Sequence, residues 1–156
     1  MAKIHIYIDA NMIYGFFKKM LVCTRRNQDF EIPRVIEFLR NNLDRLEIYI
    51  SPLTKAEIIR RLRTEWNCSK GEADRIWTAF ESELMVNYIE NATISNDIVE
   101  LANLTRFKKR INNLIHVMIA KEYNLIFLTG DKEILGKAKE FYPDIISYHD
   151  LRAMLQ

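Results

Sequence analysis

The sequence predicts an α/β fold with a mostly parallel central sheet, and three observations support this prediction. Short apolar segments typical of buried strands alternate along the chain with longer segments of helical spacing. Most strand segments are largely apolar rather than alternating, as expected where helices cover both faces of a sheet. Strands separated by helices are joined by crossover connections, which produce parallel pairing. We therefore expect a three-layer α/β/α sandwich.

Five segments rich in β-branched and aromatic residues are predicted as strands. They are residues 4–8, 47–50, 89–94, 125–128 and 145–146. The first strand reads Ile4-His5-Ile6-Tyr7-Ile8, and the fourth is strongly apolar. The third segment contains several polar residues, and the fifth consists of only two residues.

Helices are predicted between the strands from apolar positions at helical spacing. They cover approximately residues 10–21, 33–46, 52–67, 70–88, 96–107, 112–123 and 150–155. Ser51-Pro52 predicts a helix start, because Ser is a good N-cap and Pro is tolerated in the first turn. Ser69 and Glu72 have the spacing of a capping box, and they predict the start of the next helix.

Length and composition predict one globular domain over residues 1–156. A chain of this length can bury a core without disulfides, and its 49% hydrophobic and 28% charged residues are ordinary for folded proteins. Cys23 and Cys68 match no zinc-site spacing. No apolar run approaches the ~20 residues needed to cross a bilayer. A cytoplasmic protein without membrane contact is the expectation.

The charge balance requires any contact with nucleic acid to come from local basic clusters. The chain carries 23 Lys and Arg against 21 Asp and Glu, a net charge of +2. One cluster is Arg60, Arg61 and Arg63, and the other is Arg106, Lys108, Lys109 and Arg110. Both clusters could contact phosphates. The alternatives are ion pairs within the helix for the first cluster and a solvated surface for the second.

Three carboxylates occupy positions expected at the functional edge of a parallel sheet, beyond the carboxyl ends of its strands. Asp9 follows the first strand, Asp131 follows the fourth, and Glu57 lies in the helix after the second. Carboxylates gathered at one edge repel one another by ~4 kcal/mol per pair at ~4 Å and an effective dielectric of 20, so a cation is expected among them. Such oxygen ligands suit Mg²⁺ or Mn²⁺, which also bind phosphate. A phosphodiester substrate follows.

Each of these carboxylates also has a purely structural explanation. Asp9 and Asp131 could be N-caps of the helices that they precede, a role worth ~1 kcal/mol each. Glu57 stands three residues after Thr54, as in a capping box. Ser51-Pro52 is nevertheless the better helix start, and it would leave Glu57 too far along the helix for that role.

Three motifs, in this order and spacing, resemble those of the PIN-domain ribonucleases, a family that includes the toxins of VapBC toxin–antitoxin pairs. The motifs are Tyr7-Ile8-Asp9-Ala10-Asn11, then Ser51-Pro52-Leu53-Thr54-Lys55-Ala56-Glu57, and then Asn113-Leu114-Ile115-His116-Val117-Met118-Ile119-Ala120 followed by Phe127-Leu128-Thr129-Gly130-Asp131. The resemblance covers nearly the whole chain. It implies a PIN-like fold and a Mg²⁺- or Mn²⁺-dependent endoribonuclease.

The resemblance also implies roles for individual residues. Asp9, Glu57 and Asp131 match the catalytic, metal-holding acids of the family. Asn11 and Thr129 match polar positions that orient ligands or waters beside the site. RNA is the implied substrate, and an antitoxin and a second copy of the chain in a homodimer are the expected protein partners.

One position departs from the family pattern. Asn113, which we also place in the catalytic set, stands where the family usually carries Asp. Asn keeps one oxygen ligand but removes a negative charge, so metal affinity and activity should be lower. The alternative function is therefore a catalytically weakened or inactive RNA-binding or scaffold protein. His116, one turn later, could serve as an acid or base, or could simply be packed and hydrogen-bonded.

Overall fold

The computed structural model describes residues 2–90, 97–105 and 110–156. In these ranges the strands are β1 (Ile4–Ile8), β2 (Leu46–Ile50), β3 (Asn87–Tyr88), β4 (Ile126–Leu128) and β5 (Ile145–Ile146). They form a sheet in the order β3-β2-β1-β4-β5, and every pair of neighbours is parallel. The predicted α/β class with a parallel sheet is confirmed.

Helices connect the strands. They are α1 (Ala10–Arg25), α2 (Arg34–Arg40), α3 (Pro52–Trp66), α4 (Lys70–Leu84), α5 (Asp97–Thr105), α6 (Ile111–Glu122), α7 (Lys132–Lys137) and α8 (Tyr148–Met154). None of the described helices is both long and apolar enough to cross a membrane.

The central strand β1 is buried on both faces of the sheet. Ile6 and Ile8 belong to a core that contains side chains of α1, α2, α3, α4 and α8. Tyr7, which points to the opposite face, belongs to a second core with α5, α6 and α7. Because successive side chains of a strand alternate between faces, this strand must be apolar on both sides. The three-layer arrangement explains the lack of alternation in the sequence.

Ser51 and Ser69 cap α3 and α4 as the sequence predicts. Each serine side chain accepts a hydrogen bond from the backbone N–H three residues later and completes a capping box, with Thr54 and Glu72 respectively. Thr54 is therefore the third helical residue of α3 and not its cap. The capping-box explanation of Glu57 is wrong, because Glu57 lies a full turn beyond the start of the helix.

The structure corrects the predicted end of α4 and the third strand. The helix ends at Leu84 and not near residue 88, because Met85 adopts the left-handed conformation (φ 49°, ψ 48°) that commonly terminates helices. The third strand is Asn87–Tyr88, earlier than the predicted 89–94. Residues 91–96 lie outside the described ranges, as does the predicted cap of α5.

The second and the last helices also differ from their predictions. The apolar pattern over 33–46 contains a helix only to Arg40, and Leu46 pairs with Ile4 in the sheet. Apolar spacing over a short segment does not separate a helix end from a strand start. The last helix begins at Tyr148 and not at 150, because Ser147 and Asp150 form a capping box that the apolar pattern did not reveal.

Candidate active site

The neighbouring strands β2, β1 and β4 bring the predicted acidic residues to one edge of the sheet. Asp9 follows β1, and its N–H donates to the carbonyl of Leu128 at the end of β4 (3.0 Å). Asp131 lies three positions after Leu128, and α3, which carries Glu57, follows β2. Because these strands are parallel neighbours, all three residues are placed at the same edge.

Thr129 connects two of the acidic residues. Its hydroxyl donates to Oδ2 of Asp9 (2.7 Å) and accepts a hydrogen bond from the backbone N–H of Asp131 (3.0 Å). Thr129 is fully buried, and Asp9 and Asp131 are only 3% and 8% exposed. Asp9 and Asp131 are thus held around one buried hydroxyl group, at the position where the family resemblance implies a polar residue beside the site.

Both aspartates are also N-caps. Oδ1 of Asp9 accepts from the N–H of Asn11 (3.4 Å), and Oδ1 of Asp131 accepts from the N–H groups of Glu133 (2.8 Å) and Ile134 (3.2 Å). The structural explanation for these residues is therefore correct. Capping engages the same oxygen atom, Oδ1, in both side chains, so it does not exclude a second role for the carboxylates.

Asn113 reaches the same edge from the first turn of α6. Its Nδ2 donates to Oδ2 of Asp131 over 3.5 Å, which is at the long limit for a hydrogen bond. A carboxylate in place of the Asn113 amide would face the negative charge of Asp131 directly. The amide therefore reduces the charge repulsion at this position.

Burial raises the pKa of Asp9 above its ordinary value. The hydrogen bond from Thr129 and the nearby His116 lower this pKa, whereas the charge of Glu57 raises it further. The ionised form of Asp9 is therefore costly in this environment, and additional positive charge at the site would stabilise it.

Glu57 is held by a chain of buried polar groups. Its Oε1 lies 3.1 Å from Nε2 of His116, and Nδ1 of His116 lies 2.6 Å from the hydroxyl of Tyr7. The Tyr7 hydroxyl in turn lies 2.8 Å from Oγ of Ser51. His116 and Tyr7 are fully buried. His116 is thus packed and hydrogen-bonded, which is one of the two interpretations of the sequence. It also contacts the predicted site residue Glu57, which the other interpretation, a role as acid or base, requires.

Sequence reasoning did not identify Tyr7 as part of this arrangement. A signal was present, because Tyr7 is a tyrosine in a strand expected to be buried, and a buried tyrosine usually needs a hydrogen-bond partner. Burial raises the pKa of its hydroxyl well above the ordinary value, so Tyr7 keeps its proton. The hydrogen-bond partners of Tyr7 depend on packing across the sheet.

A cleft of about 490 Å³ opens at this edge. Its lining includes the predicted site residues Asn11, Glu57, Arg60, Arg61, Asn113 and Asp131, together with Arg110. Asp9 is not part of the lining, in agreement with its burial. The cleft therefore combines acidic and amide groups with three arginines.

The arginines of the cleft differ in how firmly they are held. Arg61 donates to Asn11 (3.2 Å) and Glu65 (3.1 Å), and its guanidinium stacks over the Tyr14 ring at 3.6 Å. The predicted ion pair within the helix is therefore formed with Glu65 and not with Glu57. Arg60 is exposed beside the cleft. In the second basic cluster Arg110 lines the cleft, and residues 106–109 lie outside the described ranges.

Within the described part of the chain, no three His, Cys, Asp or Glu side chains are arranged as a ready group of metal ligands. Convergence of Asp9, Glu57 and Asp131 on one cation therefore stays a prediction. The donor chemistry fits Mg²⁺ or Mn²⁺, since all three side chains offer hard carboxylate oxygens at one sheet edge.

Comparison with solved structures identifies the fold. The crystal structure of PAE2754 from Pyrobaculum aerophilum matches with a TM-score of 0.62 and 16% identity, over 98% of this chain and 97% of that chain. The crystal structure of VapBC2 from Rickettsia felis, bound to a DNA fragment from their promoter, contains a chain that matches with a TM-score of 0.61 and 14% identity, over 92% and 97%. No protein-family model and no curated protein matches the chain. The chain therefore has a PIN-like α/β fold, which it shares with these structures.

Proposed function

We propose that this protein is a metal-dependent ribonuclease that cleaves RNA phosphodiester bonds. The observation that carries the proposal is the Thr129 hydroxyl, which joins Asp9 and Asp131 next to a cleft that Glu57 also lines. Asp9 and Asp131 are both nearly buried, and ionised carboxylates in such an environment are costly unless positive charge accompanies them. The PIN-like fold and the family motifs are consistent with this use of the site.

In the proposed mechanism Asp9, Glu57 and Asp131 hold Mg²⁺ or Mn²⁺, directly or through water. When bound, the cation would neutralise charge that develops on phosphate oxygens and lower the pKa of a coordinated water. Thr129 orients the Asp9 carboxylate by hydrogen bonding. Asn11 and the exposed Arg60 border the cleft where the RNA backbone would lie.

Protein partners form part of the same proposal. One matched chain comes from the VapBC2 structure. On this ground we propose that the protein acts as the toxin of a toxin–antitoxin pair and is controlled by an antitoxin, and that it functions as a homodimer. Co-purification of a neighbouring gene product that inhibits RNA cleavage would test the first point.

Asn113 favours a second candidate function, a PIN-fold protein that binds RNA with weak or no cleavage. The amide next to Asp131 supplies one negative charge fewer than a carboxylate would. A site with lower charge binds divalent cations less tightly. This alternative keeps the RNA-binding role of the cleft.

Metal removal and restoration separates the two candidates. We expect the wild-type protein to cleave a fluorescent single-stranded RNA when Mn²⁺ is present, to stop after EDTA is added, and to resume when Mn²⁺ is supplied in excess. The measurement is product formation on a denaturing gel. RNA binding without any Mn²⁺-dependent cleavage would favour the alternative and reject the nuclease function.

Replacement of Arg60 with Ala tests whether the cleft binds the RNA backbone. We expect RNA affinity to fall several-fold and its dependence on salt to weaken, because one phosphate contact is lost. The measurement is fluorescence anisotropy in EDTA at two salt concentrations.

Arg26→Ala provides the matched control. Arg26 is exposed at the opposite end of α1 from Asp9, and α1 has 16 residues, a length of about 24 Å. Equal affinities of the two variants would remove Arg60 from the proposed RNA-binding surface.

A further inference from the structure

We propose that His116 is a positioning residue, which holds the Glu57 carboxylate in the orientation needed for metal binding, and that Tyr7 in turn fixes His116. The inference rests on the proposed function, and it goes beyond the role of the acidic residues themselves. It concerns a buried chain of hydrogen bonds between β1, α6 and α3.

The contacts place His116 between two elements on opposite faces of the sheet. Its own helix, α6, packs in the core that contains Tyr7, whereas α3 contributes Ile58 to the core on the other face. The 3.1 Å contact from His116 to Glu57 joins these layers at the edge where the cleft opens. His116 is therefore placed to set the position of a side chain that belongs to a different layer.

The direction of each hydrogen bond follows from the chemistry of the groups. A carboxylate can only accept, so Nε2 of His116 carries the hydrogen and donates to Glu57. When the ring is neutral, Nδ1 is the acceptor and the Tyr7 hydroxyl donates to it over 2.6 Å, and when the ring is protonated Nδ1 donates to the Tyr7 oxygen instead. Ser51 can donate to the Tyr7 oxygen at 2.8 Å. Both ring nitrogens of His116 and the Tyr7 hydroxyl thus have hydrogen-bond partners.

The side chains of His116 and Glu57 differ in solvent exposure. The side chain of His116 is 1% exposed, whereas that of Glu57 is 17% exposed and borders the cleft. Without a donor at Nε2, the Glu57 carboxylate would be free to adopt other rotamers towards solvent. Holding it in one rotamer before a cation arrives lowers the entropic cost of binding. The buried histidine therefore pre-organises an otherwise flexible ligand.

A purely structural role for His116 would predict a different outcome in matched variants. In His116→Gln the amide nitrogen can occupy the position of Nε2 and donate to Glu57. In His116→Asn the shorter amide can occupy only the position of Nδ1, where it can accept from Tyr7. Both variants replace the ring with a smaller neutral amide, so both lose similar packing, but only Gln retains the contact with Glu57.

The experiment is a calorimetric titration of the full chain with Mn²⁺ alone, together with melting curves in EDTA. We expect His116→Gln to bind Mn²⁺ within about threefold of the wild type and His116→Asn to bind it at least about tenfold more weakly, as is typical for residues that orient metal ligands. We expect similar melting temperatures for the two variants. Tyr7→Phe, which removes one hydroxyl and leaves the ring, should also weaken Mn²⁺ binding and serves if His116→Asn does not fold.

The possible failures are distinguishable. Equal Mn²⁺ affinity in the wild type and in His116→Asn would overturn this inference and leave the proposed function in place. Equal weakening in both His116 variants would also overturn it, because packing would then be the common cause. Absence of Mn²⁺ binding by the wild type would reject the proposed function and this inference with it.

Discussion

Replacing Asp9 with Asn is expected to lower Mn²⁺-dependent RNA cleavage by roughly a hundredfold or more. Asp9 is almost completely buried, and Thr129 orients its Oδ2. Asn keeps the shape of the side chain but removes the charge that would hold the cation. Cleavage rates at saturating RNA, measured with and without Mn²⁺, provide the test.

The same variant should melt at an unchanged or higher temperature in EDTA. Burial raises the pKa of Asp9, so the ionised side chain is costly in the folded protein, and the neutral amide avoids that cost. Asn is also an effective N-cap and can still accept one of the two hydrogen bonds. Loss of activity without loss of stability would separate a catalytic role from a structural one.

Asp29→Asn is the matched control, since it makes the same chemical change at an exposed position beyond the far end of α1. We expect its cleavage rate to equal that of the wild type. If Asp9→Asn cleaves RNA as fast as Asp29→Asn, Asp9 has no part in catalysis.

Introducing a carboxylate at position 113 is expected to tighten Mn²⁺ binding by tenfold or more, which is about 1.4 kcal/mol per factor of ten. The Asn113 amide lies 3.5 Å from Oδ2 of Asp131, so Asn113→Asp places a second negative charge beside the first. In EDTA the two carboxylates repel each other, and the melting temperature should fall. Excess Mn²⁺ should reverse the loss, and cleavage should accelerate.

Asn112→Asp adds the same charge to the neighbouring residue, which also lines the cleft. It controls for the general effect of a more negative cleft on cation binding. Equal gains in Mn²⁺ affinity for the two variants would show that Asn113 has no special position in the site, and they would count against the prediction that Asn113 lowers metal affinity and activity.

Much of the fold could be predicted because its determinants are local. The apolar strand Ile4–Ile8 and the caps at Ser51 and Ser69 act within a few residues, and the structure confirms all three. The predictions failed where a local pattern was ambiguous. Met85 ends α4 through a left-handed backbone conformation that no apolar spacing reveals.

The acidic residues could also be placed at one edge before any coordinates, because parallel strands end on the same side of a sheet. The sequence and the strand order together put Asp9 and Asp131 just beyond the ends of neighbouring strands. Which atoms meet there could not be predicted. The Thr129 hydroxyl between the two aspartates depends on the register of β1 and β4, where Ile8 pairs with Leu128.

Residue types, spacing and order in the chain specify most of the strands and helices and the edge at which the acidic groups lie. The partners of the buried polar groups come from packing of the layers. Tyr7 and His116 are separated by 109 positions and lie 2.6 Å apart, and Glu57 meets His116 from the other side of the sheet. Such contacts form only when the sheet order brings distant segments together, because periodicity and capping act over a few residues while tertiary packing acts across the whole chain.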